Sequence, residues 1–391
     1  MQAYDRELLE NNALIAEADS LQHAGFISSE QNNFIDSKLP SLSTQSNQLI
    51  RAGMFILACV LFSSCCGVVA LFSSGFIFEH YGWIMLVYSI FGIAATEFIV
   101  HKPQYFANGI DDAFVFCTQL VLIGWVGVSV GSEDFLMPVF VAMVIAGVFC
   151  CVRYVDSLAA FLACVGLVCA TGDLFMQAGD AGRSLLPFGL MSLGAAIYYL
   201  SQWLRDNEDL GSYYFKSINV VKGFGLALFY LAGNYMVVRE GRVLLLNTEI
   251  MPGSDIPLAW LFYAFTVLVP VGYIYFSLIR KDRIMLWAGI FSLSFSIFTI
   301  RYYHHIIPAE WALVIGGLVL LAITWFSIHK LKGRTSGLTY EADRLSSQGE
   351  ILKAEYILVV QNFGAKPAAV DNTGPAFGGG DFGGGGAGDS L

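Results

Sequence analysis

Ten continuous apolar runs lie along the chain, near residues 52–76, 83–100, 113–131, 135–152, 157–173, 185–203, 220–238, 258–279, 284–300 and 311–328. Short polar stretches separate them. Crossing a hydrocarbon core about 30 Å thick takes roughly 20 helical residues, and most runs come close to that length. In lipid a helix satisfies its own backbone groups where no water is at hand, so each run is expected to be helical. A membrane β-barrel would show alternating strands of about ten residues, whereas these runs are apolar throughout. The pattern predicts an all-α fold, a polytopic transmembrane bundle of about ten helices over 52–328. The run at 157–173 is short and its edges are soft.

Outside the bundle the polar pattern changes character twice. Residues 1–40 read as a pair of short helices. Leu14, Ile15, Ala18 and Leu21 share one helical face, and Gly25 supplies a stop that tolerates positive φ. Ser28 and Gln31 have capping-box spacing for a second helix, which Pro40 closes. Residues 41–51 form a Ser/Gln-rich linker. Beyond the last run, 340–362 reads as a helix with Leu345, Leu352, Tyr356 and Val359 on one face. From Phe363 to the end the composition is dominated by glycine, which predicts disorder over 363–391.

Charge then orients the bundle. Lys38, Arg51, Lys102, Arg153, Arg205, Lys216, Lys222, Arg280, Lys281, Arg283, Lys330, Lys332, Arg334 and Arg344 flank the runs on the side of the N-terminus. Only Arg183, Arg239, Arg242 and Arg301 fall on the other. Lys and Arg near the membrane mark its cytoplasmic side, so both termini are expected in the cytoplasm, in an inner-membrane protein. The overall composition agrees. The chain is 56% hydrophobic and only 13% charged, about half the charge of an average soluble domain. A net charge of −10 argues against nucleic acid as a partner, because phosphates need Lys and Arg. The eight cysteines sit in apolar stretches with no CxxC or zinc-like spacing. They read as small hydrophobes. The polar first 51 residues show no cleavable signal peptide, so the first run is expected to anchor uncleaved.

Gly25-Phe26-Ile27-Ser28-Ser29-Glu30-Gln31 resembles the N-terminal signature of a family of bacterial multi-pass membrane proteins of unknown function. Its members open with a short cytosolic helix pair carrying a "GLIS-x-EQ"-like motif. Arg301-Tyr302-Tyr303 and the Phe-Gly-Gly-Gly ending are further, weaker likenesses to bacterial membrane proteins. The resemblance implies a bacterial origin and a fold. It implies no activity and carries over no functional residue.

Polar groups inside the runs are the remaining source of chemistry, because they are expensive there. Glu97 is the main ionisable one, about a turn from the end of its run. It is either a coupling carboxylate or an interfacial one paired with Lys102 or an arginine. Gln119 and Asn234 either bond across helices or line a path for a solute. Pro270 removes one helical hydrogen bond and is expected to kink its run. Gly127/Gly131, Ala142/Ala146 and Gly166/Ala170 have the four-residue spacing of close helix packing. Asp111 and Asp112 open a run at its positive dipole end, where capping is expected.

Three patterns match catalytic signatures in the wrong context. Gly127-Val128-Ser129-Val130-Gly131 ends an apolar run, Ser327 and Lys330 fall at a membrane exit, and Gly378, Gly380 and Gly383 lie in the tail. Loop groups such as His80, His304, His305, Glu249 and Asp255 lack metal-site spacing. Neither an enzyme nor a cofactor is expected. The sequence reads best as a non-enzymatic membrane scaffold or sensor, with lipid around its spans and a cytosolic protein partner for its ends. A secondary transporter of a small neutral or apolar solute, or an intramembrane enzyme acting on lipid, are the alternatives.

Overall fold

The computed structural model describes residues 2–304, apart from breaks at 24, 46, 73–80, 103, 132–135, 208–209 and 247–254, and six isolated positions between 314 and 332. The stretches 340–362 and 363–391 lie outside the described residues, as does the expected span at 311–328 but for isolated positions.

The described chain is built from helices. Two short ones, α1 (Arg6–His23) and α2 (Ser29–Lys38), precede α3 (Gln48–Phe72), α4 (Tyr81–His101), α5 (Ile110–Val130), α6 (Met137–Tyr154), α7 (Ser157–Gln177) and α8 (Gly179–Arg205). A 3-10 turn (Ser212–Tyr214) leads into α9 (Phe215–Gly233), followed by α10 (Tyr235–Leu246), α11 (Ala259–Arg280) and α12 (Arg283–His304). Among the described residues nine helices are long and apolar enough to cross a membrane: α3 to α9, α11 and α12. They coincide with the first nine expected runs. Their outward faces stay apolar, with Leu57, Ile145, Leu268 and Phe291 each about two-thirds exposed. Water-soluble surfaces rarely carry contiguous apolar area of this kind. The chain is a multi-pass membrane protein.

Sequential spans pack as antiparallel neighbours: α8 on α9, α6 on α7, α4 on α5 and α11 on α12. The most apolar window of α3 is only 11% buried, which puts α3 at the periphery, whereas that of α9 is 39% buried, which puts α9 at the centre. Backbone meets backbone where α8 crosses α9. A Cβ on Gly194 would lie 2.7 Å from the Phe229 nitrogen, and one on Gly225 would lie 2.9 Å from the Gly194 oxygen. Gly147 similarly abuts Ala159 and Ala163 of α7, and Gly166 abuts Val144 of α6. Of the spaced pairs in the sequence, Gly166 serves such a contact, while Ala146 lines a groove between α4, α5 and α6. Gly131 instead ends α5 in a left-handed conformation (φ 65°).

Lys222 departs from its expected place. It counted as an interfacial topology signal, yet it is buried in α9 and forms an ion pair with Asp282 in the α11–α12 turn. Asp282 also caps α12, accepting from the Met285 N–H at 3.3 Å.

The N-terminal helices lie on the end of the bundle where α4, α6 and α8 finish. Ser28 and Gln31 make the reciprocal capping bonds of α2 at 3.2 and 2.8 Å. Leu9 is the α1 residue that enters the core of the bundle, while on the expected face Ala18 is buried but Leu14 is 56% exposed. Docking to the bundle therefore uses Leu9, together with Tyr4, which the pattern of the isolated helix does not single out.

Candidate functional site

Two features of the fold concentrate polar groups, and one side chain joins them. The first is the end of the bundle that receives the N-terminal segment. Tyr4 and Leu9 pack with Leu42, Val100, Val115, Cys150, Tyr154, Val155 and Ala159 in one buried cluster. Backbone and side chains tie the segment down. The Ala3 N–H donates to the Arg153 carbonyl at 2.9 Å, Gln2 Nε2 to the Tyr213 hydroxyl at 2.6 Å, and the Tyr4 hydroxyl to the Tyr105 carbonyl at 3.0 Å. Asn11 and Asn12 bond the linker, the first to the Pro40 carbonyl and the second to the Leu42 N–H.

Beneath α1 lies a cavity of about 760 Å³ whose lining includes the charged residues Arg51, Asp111, Asp112, Asp156 and Lys216. The two aspartates of α5 divide the work expected of a cap. Asp111 accepts from the backbone N–H groups of Ala107, Asn108 and Gly109, folding the turn before the helix. Asp112 pairs with Arg51 of α3. Asp156 caps α7, accepting from Leu158 and Ala159 at 3.0 and 3.2 Å.

Burial, and then the Asp112 charge nearby, push the Asp156 carboxyl up to about 7, against the pull of its two N–H donors. A carboxyl held this high keeps a proton in the fold that the unfolded chain releases near pH 4. Its contribution to stability is full below pH 4 and is lost as pH rises through 7. The thermal midpoint in detergent is therefore expected to fall between pH 5 and 8. Asp156→Asn should flatten that slope while keeping the cap, since Asn caps about as well as Asp. An unchanged slope in the variant would assign the effect to other groups.

The second feature is a groove of about 800 Å³ between α4, α5 and α6. Its mouth is closed by Glu97, which accepts from Arg153 Nε and from the Tyr154 hydroxyl, both at 2.7 Å. Glu97 thus has an arginine partner, and that arginine is Arg153. Lys102 lies over the Phe98 ring instead. Deeper in the groove Gln119 is 2% exposed, and neither of its amide atoms has a hydrogen-bond partner. The Cys150 thiol beside it is a weak polar contact, outside hydrogen-bond geometry. Thr118, also buried and unpartnered, presses its hydroxyl against Gly92 of α4. Ile93, Ile145 and Phe149 form apolar walls. Tyr154 belongs to both features, packing in the cluster under Tyr4 and Leu9 and bonding Glu97 at the mouth.

Asn234 and Pro270 are elsewhere. Asn234 ends α9, beyond the expected interior of a span, and its side-chain oxygen caps α10 through Met236 at 3.0 Å. Its amide donates to the Tyr230 hydroxyl and to Thr299. Pro270 lies within α11, where its missing N–H leaves the carbonyl four residues back without a helical partner. That carbonyl, of Thr266, accepts from the Ser296 hydroxyl of α12 at 2.5 Å. The four candidates therefore divide into Glu97 with Gln119 in the groove, and Asn234 with Pro270 in a polar network that is satisfied. A further cavity of about 330 Å³ between α8, α9 and α11 is walled by Gly194, Gly225, Phe229 and Tyr273. The Tyr273 hydroxyl there already donates to the Leu226 carbonyl.

Ser129 donates to the Trp125 carbonyl in the last turn of α5, a helical context and no nucleophile elbow. Among the described residues no group of three His, Cys, Asp or Glu is placed to hold a metal. Sequence reasoning missed Arg153 and Tyr154, which carry the mouth of the groove. No local signal pairs them with Glu97, because the pairing needs α4 and α6 side by side. No protein-family model, curated protein or solved structure matches the chain.

Proposed function

We propose that this protein is a non-enzymatic membrane sensor, or a scaffold built the same way, whose N-terminal helix pair is a cytosolic module held on the bundle. The reading places the chain in a bacterial inner membrane, with the α1–α2 face in the cytoplasm, as the Lys and Arg distribution implies. What supports it most is the position of Tyr154. One side chain meets both the docked segment and the lipid-open groove. Any occupant of the groove that prefers one placement of Tyr154 shifts the docking equilibrium by that preference. A transporter would gather its polar groups along one path, whereas Glu97 and Gln119 stand apart from Asn234 and Pro270.

The module reading has a direct test. Deleting residues 2–40 is expected to leave membrane insertion and amide protection of the spans intact. The Leu9→Asp variant should lose protection over α1 alone, because a buried leucine there becomes a charge without a partner. Loss of span protection in the deletion would make the segment a structural plug and remove the basis for a releasable module.

A further inference from the structure

We propose that the groove between α4, α5 and α6 binds an uncharged, carbonyl-bearing amphiphile drawn sideways from the bilayer. Gln119 is the starting point. An amide in contact with hydrocarbon loses its hydrogen bonds to water and gains none from lipid tails. Here both amide atoms are buried and unpartnered, on the wall of a cavity large enough for the body of a lipid-sized molecule. The structural polar groups of the α9–α12 network are satisfied by neighbours. Among the described residues Gln119 alone has two buried polar atoms without a hydrogen-bond partner, and a ligand that supplies one explains why a glutamine is tolerated there.

Geometry fixes the route. Gln119 follows Ile110, the first residue of α5, by nine positions, which places it about 13 Å along the axis. Above it the mouth is closed by Glu97, Arg153 and Tyr154, and beyond those by α1. The sides are open, with Ile145 64% exposed and Phe149 beside it nearly as much. Entry is therefore lateral, through lipid, and the ligand needs a long apolar part to lie against Ile93, Ile145 and Phe149.

Chemistry fixes the class. The Gln119 amide nitrogen offers two hydrogens, which suit an acceptor oxygen. The Glu97–Arg153 pair cancels its own charge, so an anionic head would have to displace Glu97 and a cationic one Arg153. A neutral carbonyl meets the amide donors and the charge condition, and leaves the Gln119 amide oxygen without a donor from the ligand. Two bilayer sources present one on an apolar tail: the ester of a neutral glycerolipid and the ring carbonyl of an isoprenoid quinone. The ligand class deepens the sensor reading and rests on it only for the consequence at the N-terminal face.

The experiment uses the full chain in a mild detergent with four probes: dioleoylglycerol, decylubiquinone, squalane as a tail without an acceptor, and phosphatidylglycerol as a charged head. Thermal shift and native mass spectrometry report binding, and hydrogen exchange over α1 reports docking. At least one neutral carbonyl probe should raise the melting temperature and remain bound, and whichever does so identifies the source. Squalane and phosphatidylglycerol should bind at least tenfold more weakly. Gln119→Leu should fold, melt no lower than wild type without ligand, and lose at least tenfold in affinity. Ile145→Trp, which fills the groove and leaves the amide in place, should lose binding equally. Squalane binding as well as the carbonyl probes, or undiminished binding to Gln119→Leu, would reduce the groove to passive uptake of lipid tails and overturn the proposal. Carbonyl binding without a change in α1 exchange would uphold the site and reject the sensor reading.

Discussion

Asp282→Asn is expected to lower the stability of the detergent-solubilised protein by about 3–5 kcal/mol, the usual result of removing one partner from a buried ion pair. The Lys222 side chain is 2% exposed and that of Asp282 9%. Asparagine keeps the size of the side chain and can still accept from the Met285 N–H, so the cap of α12 survives. What remains is the Lys222 ammonium in the packed end of α9 with its counter-charge gone. The same physics predicts that Lys222→Met combined with Asp282→Leu recovers much of the loss, because apolar replacements of both partners are often neutral. Denaturant midpoints of the single and double variants check both statements. A loss below about 1 kcal/mol for Asp282→Asn would mean that water reaches the pair and screens it.

The second large effect concerns backbone contact between α8 and α9. Gly194→Val should destabilise by about 3 kcal/mol, at the upper end of overpacking costs. The Phe229 nitrogen and the Gly225 oxygen are already where a Cβ and its methyls would go. Main-chain atoms cannot turn aside as a flexible side chain can, so the helices themselves must separate. Gly172→Ala in α7 is the matched control, since nothing lies within 4 Å of its added Cβ. It should be neutral or stabilising by up to about 1 kcal/mol through helix propensity alone. Thermal midpoints of opposite sign for the two glycine substitutions would confirm that close approach, and not glycine content, holds this crossing together. Equal, small shifts would show that the helices have room to relax.

Both predictions arise from groups whose role the residue pattern does not reveal. Nine spans, their order and the capped α2 are legible along the chain, because hydropathy over about 20 residues and capping chemistry are local properties. Glu97 is legible as an ionisable group near the end of its run, a coupling carboxylate or one awaiting Lys102 or an arginine, since its distance from that end is a matter of counting. Arg153 as that arginine, Asp282 as the partner of Lys222, and Ser296 as the donor that satisfies the carbonyl freed by Pro270 are not. Each pairing joins helices far apart in sequence, and many apolar helices of similar composition could stand beside one another equally well.

The sequence alone determined that this chain dissolves in a bilayer as a helical bundle, because lipid leaves the backbone no other solution and hydropathy reports it residue by residue. Only the tertiary structure decided that Glu97 and Gln119 share a groove while Asn234 and Pro270 do not, and that Leu9 instead of Leu14 faces the bundle. Those outcomes depend on which helix faces touch. That choice is made by shape and by the satisfaction of a few buried polar atoms, in an environment where apolar faces are otherwise interchangeable.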